Sequence, residues 1–130
     1  MLFNDREGFV KALNGVYIEL NTNELYGRNL TAGALDVMGQ YYSVASSSHA
    51  FYNYGGLVYT GNDEKALFDN MWQKCYAVIA CCNTIIEKCD ENKAGLSPVW
   101  KGSIKGEALA LRAMLHFDML RLFGPLTSEL

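Results

Sequence analysis

The sequence predicts an all-α fold of about four helices. Apolar residues recur at helical spacing through four separate segments. Only two prolines occur, and one of them, Pro125, follows a long apolar stretch where it ends a helix without interrupting it. Half of the 130 residues are apolar, 12% are aromatic and 19% are charged, a composition that fills a core and does not describe a disordered chain. The length amounts to one domain and excludes a large multidomain enzyme.

The first helix is expected over residues 5–20, where Phe9, Leu13, Val16 and Leu20 fall on one face. Asn4 followed by Glu7 has the spacing of a capping box. After turn-prone residues at Asn21-Thr22-Asn23 and Tyr26-Gly27, a second helix is expected over 30–41 from Leu30, Ala34, Val37, Met38 and Tyr41, weakened by Gly33 and Gly39. Residues 43–62 then break the periodicity. Ser46-Ser47-Ser48, Gly55-Gly56 and Gly61-Asn62 are loop chemistry, yet Phe51, Tyr52, Tyr54 and Tyr59 sit among them. An aromatic-rich loop of about twenty residues exceeds the usual connection, and such loops are functional or ordered by packing.

A third helix is expected over 63–90 with Asp63 as its N-cap. Leu67, Met71, Cys75, Val78, Cys82, Ile85 and Cys89 form one stripe, with Phe68, Trp72, Ile79 and Ile86 beside it. Such a helix, apolar over much of its circumference, belongs between other helices. After a loop at 91–95, Ser97 as N-cap and Pro98 at the first helical position open a fourth helix that Gly124-Pro125 stops. Trp100, Ile104, Ala108, Leu111 and Leu115 share one face, and Leu109, Met114, Phe117, Leu120, Leu122 and Phe123 add a second apolar region. That is more apolar surface than the preceding helices can cover, so the chain reads as part of a larger body.

Several function classes are disfavoured. The net charge of -3 and the lack of a Lys/Arg cluster argue against nucleic acid. No stretch reaches the roughly 18 apolar residues of a membrane span, and the charged start Asn4-Asp5-Arg6-Glu7 lacks the apolar core of an export signal. Cys75, Cys82 and Cys89 are spaced by seven, about 10 Å apart along a helix, beyond the roughly 7 Å limit for a disulfide. With Cys81 they read as small core hydrophobes. There is no CxxC, and neither His49 nor His116 has a ligand-spaced partner, so no metal site or cofactor is expected. Arg112, His116 and Asp118 could be arranged as an acid-base site, but polar residues on an apolar helix are more commonly hydrogen-bonded packing residues. Without a phosphate loop, nucleophile elbow or paired carboxylates, no enzyme is expected. Glu107 and Arg112 are expected to find ionic or backbone partners in neighbouring elements, and Asn83 to tie down a neighbouring backbone.

These residues resemble the N-terminal part of the SusD/RagB family of outer-membrane nutrient-binding lipoproteins. The resemblance rests on Ala12-Leu13-Asn14-Gly15-Val16-Tyr17, on Trp72, Tyr76, Ile79 and Asn83, and above all on Gly106-Glu107-Ala108 with Arg112-Ala113, Phe117 and Leu122-Phe123-Gly124-Pro125. It implies tetratricopeptide-like helix pairs. Ala113, Phe117 and Pro125 keep half of that repeat's signature, whereas its Leu-Gly is missing and Trp72 and Tyr76 stand closer than its consensus places them.

The resemblance further implies a non-catalytic protein at the cell surface, held to the outer membrane by a lipidated N-terminal cysteine, that captures oligosaccharides for a TonB-dependent transporter. Residues 1–130 would be an N-terminal part, incomplete at both ends. Sugar contact is expected from the 43–62 loop, at Tyr52, Asn53, Tyr54 and Tyr59, since aromatic faces cover pyranose C–H faces while amides bind hydroxyls. Trp72, Tyr76, Asn83, Glu107 and Arg112 are assigned structural roles. A rival expectation is a helical-repeat scaffold that binds proteins and has no sugar affinity.

Overall fold

A computed structural model describes residues 2–125; Met1 and residues 126–130 of the expected 1–130 unit lie outside it. Among the described residues the chain is all-α, with the order α1 (Arg6–Leu20), α2 (Ala34–Met38), α3 (Tyr52–Gly55), α4 (Asn62–Glu91) and α5 (Pro98–Phe123). It packs as two compact units. The first contains the segment up to Tyr17 and the chain from Cys75 onward, and the second is Ile18–Lys74.

In the first unit, α1 begins when the Asp5 carboxylate accepts a hydrogen bond from the Gly8 backbone N–H at 2.8 Å. Asp5, and not the expected Asn4 with Glu7, is therefore the cap. The acidic side chain at the helix start satisfies an N–H that has no partner inside the helix, and Glu7 instead pairs with Lys11 one turn on. Phe9, Leu13 and Val16 are buried as their spacing predicts.

The partners between α4 and α5 run in opposite directions. Cys75 Sγ faces the Leu115 carbonyl, Arg112 Nη1 donates to Asn83 Oδ1 at 2.7 Å, and Lys105 Nζ donates to Asp90 Oδ1 at 2.6 Å. The two long helices are thus an antiparallel pair. Its turn is made by Asn92, at φ 47°, whose side chain holds both the N–H and the carbonyl of Leu96, and by Gly95 at φ 64°. Ser97 then caps α5 by accepting from the Trp100 N–H, with Pro98 at its first position, as predicted.

Between the helices lie Cys75, Val78, Ile79, Cys82, Ile85 and Cys89 of α4 and Ile104, Ala108, Leu111, Leu115 and Met119 of α5, all buried. Cys81 is a correction. It is exposed, because it follows Ala80 on the face of α4 turned from the buried stripe. The placement of α4 between other helices is corrected at Trp72 and Tyr76, which are exposed, whereas exposed Leu109, Met114, Phe117 and Leu120 of α5 agree with the expected excess of apolar surface on the last helix. Three helices spend their apolar stripes on one shared core and leave the opposite faces open.

In the second unit, helix two is shorter than expected. Leu30 belongs to a stack of turns in which the Thr31 hydroxyl donates to the Tyr26 carbonyl at 2.9 Å, and Gly33 lies so close that a Cβ there would meet the Arg28 carbonyl oxygen at 2.6 Å. Beyond Met38, Gly39 caps the helix and Gln40 takes φ 59°, so Tyr41 falls outside it and is exposed. The glycines at both ends confine the helix to five residues. The 43–62 segment contains the short helix α3, which aperiodic residues had not signalled. Helix α4 opens at Asn62, one residue ahead of the expected cap, so Asp63 lies inside its first turn.

Candidate functional site

A cleft of about 530 Å³ opens in the second unit. Its walls come from α2, α3 and the chain on either side of them, and its volume falls in the range of small-molecule sites. Val37, Val44 and Val58 supply an apolar floor, Tyr42 and Tyr52 supply rings, and Gln40, Ser43 and Asn53 supply neutral polar groups. Among the described residues, the lining contains no carboxylate, ammonium, guanidinium or imidazole. An uncharged, partly aromatic cleft suits a neutral ligand with apolar faces and hydroxyl groups.

The four expected sugar-contact residues are placed differently from one another. Tyr52 lines the cleft and is 43% exposed, and Asn53 lies beside it. Tyr54, on the opposite side of α3, is 2% exposed. Its ring packs edge-on against Phe51 and Phe68, with centroids at 5.9 and 6.0 Å, and Tyr59 closes the cluster at 5.4 Å from Phe68. Burial pushes the Tyr54 hydroxyl above its ordinary pKa, with help from the negative charges of Glu64 and Asp63, and burial does the same to Tyr59. In α3, therefore, one tyrosine turns to the cleft and one turns to the interior.

Glu64 was missed by the sequence reading, which placed it within a long helix. It is buried, and its Oε1 accepts from Asn53 Nδ2 at 2.7 Å. That bond and one from its own backbone N–H hold its carboxyl below the ordinary range. Gln40 falls within the span expected for the second helix, and the early stop at Gly39 releases it into the cleft wall, where Tyr42, just past that span, joins it. The pairing Asn53…Glu64, eleven residues apart, carries no sequence signal.

The residues assigned structural roles make side-chain bonds. Glu107 accepts from the Tyr17 hydroxyl at 2.7 Å, and Asn83 accepts from Arg112. These are corrections in kind: Glu107 was expected to have an ionic or backbone partner and has a phenol, and Asn83 was expected to bind backbone and binds a guanidinium. The Glu107 bond raises the Tyr17 pKa. The Tyr76 ring stands edge-on to exposed His116 at 6.0 Å, and Asp118 pairs with Arg121. Arg112, His116 and Asp118 thus turn to different partners. No group of three or more His, Cys, Asp or Glu residues suited to a metal is present among the described residues, and no described helix is long and apolar enough to cross a membrane.

The described residues thus form an all-α chain, with an antiparallel helix pair in one unit and a neutral aromatic cleft in the other. Residues 8–129 match the SusD-like family described as starch-binding and associating with the outer membrane, and the chain belongs to that family. It is also similar to the SusD-like protein P2 of Formosa agariphila, 25% identical over 118 residues that cover 87% of this chain and 22% of that protein. The chain therefore spans less than a quarter of the length of this curated relative. No solved structure matches it significantly.

Proposed function

We propose that the chain is the N-terminal part of a longer, non-catalytic protein at the outer membrane, incomplete at both ends here, that binds a neutral oligosaccharide and delivers it to a TonB-dependent transporter. A lipid anchor outside this chain would hold it to the membrane. One observation carries the sugar reading: the cleft sets the exposed ring of Tyr52 beside the amide of Asn53, with no charged group in its lining among the described residues. A ring covers the apolar face of a pyranose, and the amide exchanges hydrogen bonds with its hydroxyls. Membership of a family described as starch-binding supports the same reading. Within it, Tyr52 and Asn53 contact the sugar, and Tyr54 and Tyr59 hold α3 in place from behind.

Titration of the full-length protein with a panel of oligosaccharides tests the proposal. Saturable binding of neutral members, weakened about fivefold or more by Tyr52→Ala, is the expected result, since aromatic contacts contribute on the order of 1 kcal/mol or more. Binding unchanged in both Tyr52→Ala and Asn53→Ala removes the cleft from consideration.

The exposed apolar face of α5 favours a second reading, a helical scaffold that docks another protein. It predicts protein partners and no sugar affinity, so the same titration separates the two.

A further inference from the structure

Glu64 does not line the cleft but is bonded to Asn53, which does. It is a carboxylate on the third residue of α4, and it is only 6% exposed. A buried carboxylate must be held by donors, and two are present: the Asn53 amide, at 2.7 Å, and the backbone N–H of Glu64 itself. The start of a 30-residue helix also favours negative charge. Gly61 completes the arrangement, because a Cβ there would lie 2.0 Å from Glu64 Oε2. A carboxylate only accepts hydrogen bonds, so it can hold the Asn53 amide only by its nitrogen. The carbonyl Oδ1 of Asn53 is then turned away from the carboxylate and free to accept from a ligand hydroxyl, with the second N–H of the amide beside it. Without Glu64 the amide has no such preference and can rotate by half a turn.

We infer that Glu64 is the positioning residue of the cleft, holding the Asn53 amide in the orientation that presents its carbonyl oxygen to a sugar hydroxyl. This rests on the reading of the cleft as a sugar site. Glu64 itself touches no ligand and acts through Asn53.

The test combines two measurements on the full-length protein. In the first, the ligand-free protein is labelled with ¹⁵N and the Asn53 side-chain amide is followed by NMR. One of its two protons is expected to be shifted downfield and slow to exchange, and both signatures are expected to vanish in Glu64→Ala and to weaken in Gly61→Ala, where the methyl displaces the carboxylate. In the second, a neutral oligosaccharide that the wild type binds is titrated into the variants. Glu64→Ala is expected to weaken binding roughly fivefold, the weight of one hydrogen bond, and Glu64→Gln, which keeps a carbonyl acceptor, to restore most of it. In an Asn53→Ala background, Glu64→Ala is expected to have no further effect. Wild-type affinity in Glu64→Ala, or additive losses in the double variant, overturns the inference. An absence of oligosaccharide binding by the wild type overturns the sugar reading instead, and the amide resonances then decide the Asn53–Glu64 bond alone.

Discussion

Burial sets the chemistry of the thiols. Cys75 is fully buried, and loss of hydration, with the nearby Asp118 charge adding to it, pushes its pKa from an ordinary 9.0 to about 11. Burial moves Cys82 and Cys89 in the same direction. Thiolates are the reactive species, so these three are inert in the folded chain while exposed Cys81 is accessible. Alkylation with iodoacetamide at pH 8 is expected to modify Cys81 alone in the native protein and all four cysteines in denaturant; rapid native labelling of Cys75 would contradict the packing. The same burial predicts a pH effect. An acid whose folded pKa is raised contributes its full stability below the unfolded pKa and loses it as pH rises toward the folded value. Stability should therefore fall between about pH 9 and pH 11, by on the order of 2 kcal/mol from Cys75. Urea midpoints across that range, compared with those of Cys75→Ala, check it. The seven-residue spacing made the buried cysteines legible in the sequence. Exposure of Cys81 and the Asn53–Glu64 bond were not, since which way one side chain faces and which distant group it meets depend on tertiary packing.

At the scale of elements, the α4–α5 pair holds the first unit together. Leu115 is fully buried near its middle, so Leu115→Ala is expected to cost about 2–5 kcal/mol by lost burial and an unfilled cavity. Ser97→Ala removes a capping bond at one end and is expected to cost about 1 kcal/mol. Chemical denaturation monitored by circular dichroism measures both, and equal losses would mean that α5 is held by its termini and not by its core. Both long helices were readable from periodicity, Ser97-Pro98 and Gly124-Pro125, because a helix that buries one stripe repeats its apolar residues every three or four positions. The second helix was overextended for the same reason. Leu30, Ala34 and Tyr41 keep the spacing, but backbone crowding at Gly33 and the positive φ of Gln40 end the helix at Met38. Helix α3 is too short to show a period, so half of the cleft wall lacked a pattern to find.

Across the whole molecule, the distribution of apolar surface accords with the proposed incompleteness. Phe117 and Leu120 are 59% and 64% exposed on the outer face of α5, although they belong to the segment that carried the family resemblance. If the remainder of a longer protein covers this face, the 130-residue chain made alone should bind a hydrophobic dye such as ANS, and the full-length protein should not. The central claim concerns the cleft between α2 and α3, and hydrogen exchange of the full-length protein with and without a neutral oligosaccharide locates the ligand without mutation. Slowed exchange concentrated in residues 37–58 is the predicted result; saturable binding that leaves those residues unchanged and protects another part of the protein would contradict it.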